Sequence, residues 1–153
     1  MKHTILHNQE DIDSIIKKCK VCHVSMVDEN NMPYVVAYNF GYKDGVVYLH
    51  SSKEGKKIDI LRNNPNVCIS FNTDHELRYQ SEQVACSWSM KYRSVIAYGK
   101  VEFIEDIEAK RDFLSVVMGN YADRAFTFNE PALREVCTYK VKVEKFTGRI
   151  YGY

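Results

Sequence analysis

Long hydrophobic runs are missing from this sequence. The opening segment MKHTILHNQEDIDS has no apolar stretch long enough for a signal peptide, and no window elsewhere approaches the roughly 20 apolar residues that span a bilayer. An excess of one charge is also missing, because 21 lysines and arginines balance 20 aspartates and glutamates. The formal net charge of +1 gives no global field that would draw the protein to nucleic acid or to an anionic membrane. We therefore expect a cytoplasmic protein with no nucleic-acid or membrane partner.

The short motifs of common hydrolases and nucleotide-binding enzymes are absent as well. The sequence has no G-x-S-x-G, no Walker loop, no G-x-G-x-x-G and no pair of carboxylates set in an apolar run. These absences argue against a serine hydrolase and against an enzyme that uses a nucleoside triphosphate. Chemistry without obvious catalytic side chains favours a cofactor that performs the difficult step while the protein orients it.

The cysteines do not form the pattern of a disulfide framework. They are five in number, and they lie in apolar or mixed runs, which is typical of small buried thiols in a reducing compartment. Cys19 and Cys22 have the C-x2-C spacing of metal ligands, but no second pair accompanies them and the histidines show no zinc-ligand spacing. We expect no metal site.

Aromatic residues are abundant, with 11 tyrosines and 7 phenylalanines. Such residues are most often core or interface residues, and as a group they favour a large interface or a flat aromatic ligand. The 153 residues contain no repeat and no linker rich in proline, glycine or serine. We therefore predict a single domain over residues 1–153.

Periodicity predicts a mainly β protein of the α+β class. Apolar spacing indicates a helix over about 9–19 and another over 107–121, and Gly99 marks a bulge or a close-approach point in a long strand. Six or seven antiparallel strands with two or three helices are typical of a small barrel. The first three strands are predicted to form an antiparallel meander and cover residues 21–28, 33–42 and 46–51.

The segment Tyr48–Lys57, YLHSSKEGKK, carries the most chemistry. Ser51 and Glu54 fit an S-x-x-E capping box, so a strand is predicted to deliver hydroxyl groups to the start of a helix that carries Lys56 and Lys57. Free N–H groups, the helix dipole and a lysine together favour a phosphate there. Adjacent helical residues diverge by about 100°, so at most one lysine points straight at a given phosphate oxygen. The alternative is that Ser51 only caps the helix and that both lysines are solvated.

His50 ends the same strand, beside the predicted phosphate site. A single histidine on a strand is more often a hydrogen-bonded structural residue. Only its position makes His50 a candidate for acid–base catalysis or for orienting a substrate. It is therefore the candidate catalytic residue.

Four segments stand out in order along the chain: PYVVAYNFGY, VVYLHSSKEGKKIDILRNNPNVCISF, YRSVIAYGKVEFIED and FTGRI. Together they resemble the pyridoxamine-phosphate-oxidase-like family of FMN-binding split-barrel proteins, and within it the nitroimidazole-resistance branch. The resemblance implies a six-stranded antiparallel split β-barrel with flanking helices, and a homodimer with FMN at the subunit interface. The closing residues lack the arginine-rich segment with a tryptophan that true pyridoxamine-phosphate oxidases carry, so we do not expect oxidation of pyridoxine phosphate.

The resemblance also implies a set of cofactor-binding residues by position. One strand lines the isoalloxazine and ribityl groups, a strand end and helix start hold the phosphate, and a third strand reaches the flavin from the other subunit. The residues are Val36, Ala37, Tyr38 and Asn39 on the first strand, His50, Ser51, Lys56 and Lys57 around the phosphate, and Tyr92, Arg93 and Ser94 on the third strand.

The function that follows is an FMN-dependent oxidoreductase that reduces a small electrophile, such as a nitro-heterocycle or a quinone. Electrons would come from a nicotinamide nucleotide or another donor, with His50 placed to donate or take a proton. Two alternatives stay open: a flavin- or haem-binding protein without turnover, and a deazaflavin-dependent reductase on the same barrel. The absorbance spectrum of the bound cofactor separates the three.

Overall fold

Antiparallel strands make up most of the computed structural model, which describes residues 2–153. Within these residues, eight strands, four helices and one short 3-10 turn follow each other along the chain. The strands are β1 (His3–Leu6), β2 (Cys22–Val27), β3 (Pro33–Tyr38), β4 (Gly41–Lys43), β5 (Val46–Ser52), β6 (Asn66–Arg78), β7 (Ser89–Ile104) and β8 (Val136–Tyr151). The helices are α1 (Gln9–Lys18), α2 (Lys56–Asn63), α3 (Ile107–Gly119) and α4 (Glu130–Glu135), and the 3-10 turn is Ala85–Ser87.

The sheet is built around three long strands, β6, β7 and β8. Its strand order is β3-β2-β6-β7-β8-β5-β4, and it is not closed into a complete barrel. One edge of β8 pairs with β7, whereas its other edge pairs first with β5 and then, near its end, with β1. The predicted mainly β, antiparallel architecture is confirmed, but with eight strands. The count differs because β1 and β4 have only four and three residues, too few for alternation to identify them.

The predicted meander of the first three strands is wrong. The segment 33–42 is not one strand, because β3 ends at Tyr38 and the chain then turns Phe40 into the core, where its N–H donates to the Tyr121 hydroxyl at 2.8 Å. β4 starts at Gly41, against α3: an ideal Cβ there would lie 2.8 Å from the Val117 Cα. β5 consequently pairs with β8, far from β3 in the sheet order.

The predicted capping box is also wrong. α2 begins at Lys56 with Gly55 as its N-cap, and no side chain within residues 2–153 caps it. Ser51 still belongs to β5, and its hydroxyl donates to the Ser52 carbonyl oxygen at 2.8 Å. The Ser52 hydroxyl donates in turn to the carbonyl oxygen of Glu54 at 3.0 Å. These bonds stabilise a turn ahead of the helix and leave the helix start itself uncapped.

The core lies between the inner face of the sheet and helix α1. Ile12, Ile15 and Ile16 of α1 are buried, as their spacing predicts, and they pack in one cluster with strand residues such as Val24 and Ile69. The predicted helix over 107–121 is also found, ending two residues early as α3. Within residues 2–153, no helix is long and apolar enough to cross a bilayer.

At Gly99, where we predicted a bulge or a close approach, β8 approaches β7 closely, and the extra residue of the bulge is Glu144 on β8. The register between the two strands shifts between Tyr98 and Gly99. An ideal Cβ on Gly99 would lie 2.7 Å from Val141 Cγ1 and 2.8 Å from the Lys142 carbonyl oxygen. The close approach of β8 therefore requires glycine at this position.

The polar segment 75–83 is partly regular structure. After an irregularity between Thr73 and Glu76, β6 continues to Arg78 and pairs with the first residues of β7. Residues 76–91 thus form a hairpin that continues past the irregularity, and we call this hairpin the arm.

Candidate functional site

The end of β5 and the start of α2 form one side of the candidate site. After His50 and Ser51 the chain turns through Gly55, whose φ of 129° lies in the range that favours glycine. Within residues 2–153, no side chain caps the first N–H groups of α2, and an ideal Cβ on Gly55 would meet no heavy atom within 4 Å. This open space at a helix start fits a phosphate monoester, because the N–H groups and the helix dipole attract an anion.

Lys57 is near enough to His50 for its charge to act on the imidazole. Lys57 Nζ is 5.2 Å from the centroid of the Tyr38 ring, in a cation–π contact. His50 is half-buried, and burial lowers its pKa from 6.5, with a further decrease from the Lys57 charge. At pH 7 the site therefore combines a cation with a neutral imidazole.

A pair of buried tyrosines lies next to these residues. The hydroxyl groups of Tyr38 and Tyr139 are hydrogen-bonded at 2.8 Å, and their rings meet edge to face. Burial raises the pKa of both phenols, and the Tyr139 contact raises that of Tyr38 further. Both phenols are therefore protonated at neutral pH and serve as hydrogen-bonding groups. Sequence reasoning missed Tyr139, because only the pairing of β8 with β5 brings it here.

Lys56 points to a different surface from Lys57. Its Nζ is 4.6 Å from the centroid of the Tyr34 ring, and it borders a cleft of about 350 Å³. Asp28, Glu29 and Asp59 line the same cleft. Their three carboxylates make that surface unsuitable for a phosphate. Of the two predicted lysines, Lys57 is the one on the side of His50.

β3 gives the candidate site a strand edge whose backbone groups are not paired with another strand within residues 2–153. It is the first strand in the sheet order, so its outer edge pairs with no other strand in residues 2–153. Tyr38 is buried and Val36 is half-buried against the core, whereas Ala37 and Asn39 are exposed. Backbone N–H and C=O groups along this edge are available to a ligand.

Tyr92, Arg93 and Ser94 lie elsewhere in the subunit. β5 lies across β8 from the last residues of β7, whereas these three residues are near the start of β7. Arg93 forms an ion pair with Asp74 at 2.7 Å, and its guanidinium carbon is 3.9 Å from the centroid of the Tyr153 ring. One subunit therefore does not bring the two groups of implied site residues together.

Two further features could belong to this site, a cluster of metal ligands and the cleft beside α3, and neither is part of it. Within residues 2–153, no three His, Cys, Asp or Glu side chains are grouped as a metal ion would require. The Cys19 thiol is buried against the Asn72 carbonyl oxygen, and burial raises its pKa to about 11. The cleft beside α3 has a volume of about 440 Å³ and is bordered by Tyr48, Phe113 and Lys140.

Comparison with known sequences identifies the family. The sequence profile described as pyridoxamine 5'-phosphate oxidase matches residues 8–150. The chain belongs to the pyridoxamine 5'-phosphate oxidase family. This match confirms the resemblance identified in the four sequence segments. No curated protein sequence matches the chain.

Solved structures are similar over nearly the whole length of this family member. A candidate 5-nitroimidazole antibiotic resistance protein from Bacteroides thetaiotaomicron is 43% identical, with a TM-score of 0.87 over 97% of this chain and 87% of that chain. An FAD and haem binding protein from Mycobacterium smegmatis is 18% identical, with a TM-score of 0.81 over 97% and 70%. An FAD-binding protein from Mesorhizobium loti is 22% identical, with a TM-score of 0.72 over 99% and 100%. These likenesses confirm the predicted split-barrel fold.

Proposed function

We propose that this protein is an FMN-dependent oxidoreductase that reduces a small electrophile, such as a nitro-heterocycle or a quinone. The observation that carries the proposal is the pairing of Lys57 and His50 at the open start of α2. It offers a cation for a phosphate and, next to it, a neutral imidazole for proton transfer. The 43% identity to the candidate nitroimidazole resistance protein supports the nitro-heterocycle as acceptor.

For each part of FMN we propose a group of residues that would hold it. Lys57, Ser51 and the N–H groups of α2 would hold the phosphate, which accounts for their position around Gly55. The free edge of β3 over residues 36–39 would line the ribityl and isoalloxazine groups. When bound, the flavin supplies the transfer of electrons from a donor to the acceptor.

His50 is the group that we propose to move a proton. Its lowered pKa keeps the imidazole neutral at pH 7, so it can take a proton from a group beside it or pass one on through its own N–H. The Tyr38–Tyr139 pair keeps its protons and offers hydrogen bonds at fixed positions next to the site. The side chains thus orient the reacting groups while His50 exchanges the proton.

A homodimer with FMN between the subunits is part of this proposal. His50 lies across β8 from the end of β7, whereas Tyr92, Arg93 and Ser94 lie near its start, so we propose that a second copy completes the site. The outer face of the sheet supports this, because Val35, Ser25, Cys68 and Tyr98 are in register across four strands. Val35 is 59% exposed and Tyr98 is 46% exposed, which leaves apolar surface for a subunit interface.

Sedimentation tests the dimer. We expect a dimer at micromolar concentration, and Val35→Glu and Tyr98→Glu should each produce monomers that lose flavin. An exposed helix variant, Arg134→Glu, serves as the control and should stay dimeric, since Arg134 lies on α4. A flavin-loaded monomer of the parent protein would reject the shared site.

We also propose that the protein works in the cytoplasm, because its five cysteines are all free.

The cofactor itself is tested by mass spectrometry of ligand released from the purified protein, together with its absorbance spectrum. The expected result is FMN with the spectrum of an oxidised flavin. A haem Soret band or a deazaflavin spectrum would contradict FMN and select one of the alternatives. Stopped-flow mixing then tests turnover: a nicotinamide donor should reduce the flavin, and nitro or quinone acceptors should reoxidise it. A bound flavin that exchanges electrons with none of them would leave a binding protein without turnover.

A further inference from the structure

The loop at the tip of the arm is held by its own side chains. The rings of Tyr79 and Trp88 stack with centroids 4.2 Å apart, and Trp88 Nε1 donates to the Glu82 carbonyl oxygen at 3.2 Å. The Ser81 N–H donates to Ser87 Oγ at 3.2 Å, and that hydroxyl donates back to the Ser81 carbonyl oxygen at 2.8 Å. These contacts fix the shape of the tip and hold the Trp88 ring in place.

A cleft of about 540 Å³ opens between the arm, the N-terminal residues and the end of β8. Sites for drug-sized ligands have volumes of about 300–1,000 Å³, so the cleft is large enough for a small molecule. None of the residues implied to bind flavin lines it. Its lining includes Lys2, Arg78, Gln80, Trp88, Ser89 and Tyr151.

The charges on the cleft wall have one sign. Lys2 and Arg78 are cations, and no carboxylate belongs to the described residues that line the cleft. Two acidic side chains of the arm are engaged elsewhere, since Glu82 accepts a hydrogen bond from the Tyr79 hydroxyl at 2.7 Å and Glu76 is paired with Lys91 at 2.9 Å. The cleft therefore attracts an anion.

Two aromatic rings form the apolar part of the wall. Trp88 is 38% exposed although Tyr79 stacks on it, and Tyr151 is half-buried and stacks on Tyr92 with centroids 5.5 Å apart. Rings that are already held by another ring lose little conformational freedom when a ligand binds. Such rings favour a planar partner, because aromatic systems stack face to face with an offset or meet edge to face.

We propose that this cleft binds a planar aromatic or heteroaromatic carboxylate. Lys2 and Arg78 contact the carboxylate, and Trp88 and Tyr151 contact the ring. Tyr92 connects the cleft to the electron-transfer site, because it stacks on Tyr151 and is one of the residues implied to reach the flavin of the second subunit. The binding itself stands without a flavin, whereas the role of electron acceptor, which a nitro or quinone group on the bound ligand would supply, rests on the proposed function.

The chain contains one tryptophan, so the fluorescence of Trp88 monitors this cleft directly. The probes are quinoline-4-carboxylate and quinoline-4-carboxamide, which share a shape and differ in charge. We expect saturable changes in Trp88 emission, with the carboxylate bound at least about 10-fold more tightly, because hydrogen bonds to a charged group are the stronger ones. Added salt should weaken only the carboxylate. Equal affinity for the two probes, or no change in emission with either, overturns the proposal.

Variants assign the binding to the two cations. Lys2→Gln and Arg78→Gln should each weaken the carboxylate about 10-fold and leave the carboxamide unchanged. Arg78→Lys, which keeps the charge, should retain most of the affinity and guards against a folding defect in Arg78→Gln. Arg134→Gln removes an exposed cation from α4 and is the matched control. If Lys2→Gln and Arg78→Gln both bind the carboxylate as tightly as the parent, the cleft is not the carboxylate site.

Flavin content measured in the same samples separates this proposal from the proposed function. If the protein contains no flavin but binds the carboxylate selectively, the result supports the carboxylate site and contradicts the proposed flavoenzyme. If the protein contains flavin but its Trp88 emission does not change with the carboxylate, the result contradicts the carboxylate site and leaves the proposed flavoenzyme standing.

Discussion

Replacing Lys57 by alanine tests the phosphate site directly. A charge-assisted hydrogen bond from the ammonium group to a phosphate is worth about 1.5–3 kcal/mol, which corresponds to a loss of roughly 10- to 150-fold in affinity for FMN. The contact of Lys57 with the Tyr38 ring is also lost, but a partly exposed cation–π contact contributes only about 0.5–1 kcal/mol and affects both flavins equally. Riboflavin has no phosphate, so its affinity should decrease far less than that of FMN.

The assay is a titration of ligand-free protein with FMN and with riboflavin, followed by the quenching of flavin fluorescence. Lys56→Ala is the matched control, since Lys56 has the same charge and a similar contact, 4.6 Å from the Tyr34 ring, but faces three carboxylates. The ratio of FMN to riboflavin affinity should decrease in Lys57→Ala and stay constant in Lys56→Ala. Equal weakening of both flavins by Lys57→Ala would refute the phosphate site, as would a larger FMN loss in the control.

Three other positions give predictions of different kinds. His50→Gln should keep its flavin but slow reoxidation by an organic acceptor about 10²- to 10⁴-fold in stopped-flow traces, and unchanged rates with several nitro and quinone acceptors would remove His50 from catalysis. The pKa of His50 is lower in the folded protein than in the unfolded chain, so below a pH of about 6.5 this histidine binds more protons in the unfolded chain. The free energy of unfolding therefore decreases as the pH falls through this region. Urea midpoints should therefore decrease less between pH 7.5 and 5.5 in His50→Gln than in the parent; equal decreases contradict the assignment. Tyr139→Phe leaves the Tyr38 hydroxyl without its partner and should lower the free energy of unfolding by about 1–3 kcal/mol, whereas an unchanged urea midpoint would mean that the pair does not stabilise the fold. Gly99→Ala should cost about 1–3 kcal/mol, since the new Cβ would lie 2.8 Å from the Lys142 carbonyl oxygen, and full stability in the same measurement would mean that the strands separate freely there.

Local patterns predicted the parts of the fold that depend on neighbouring residues. The spacing of Ile12, Ile15 and Ile16 predicted α1, and Gly99 predicted the close approach of β7 and β8. The same kind of reasoning failed at Ser51, because an S-x-x-E motif does not tell whether the serine has left the preceding strand. The meander failed for a similar reason: alternation identifies strands, but it does not say that β5 will pair with β8.

The candidate site also combines residues that are close in sequence with residues that only the fold brings together. His50 and Lys57 are seven residues apart in one segment, so their proximity was predictable from a strand that enters a helix. Tyr139 joins them only through a strand pairing that spans most of the chain. Arg93 was assigned by resemblance alone, and its ion pair with Asp74 could not be predicted because Asp74 lies at an irregularity with a φ of 55°.

The last strand of the chain determines when folding can finish. β8 pairs with β7, with β5 and with β1, so the first and last strands of the sequence are neighbours in the sheet. Closing such long loops is slow, and none of these contacts can form before β8 is made, because β8 follows all three partner strands in the sequence. Before β8 pairs with them, the edges of β5 and β7 that face it are unpaired and are open to pairing with other chains. A folding chain of this protein is therefore open to such pairing until β8 takes its place between β5 and β7.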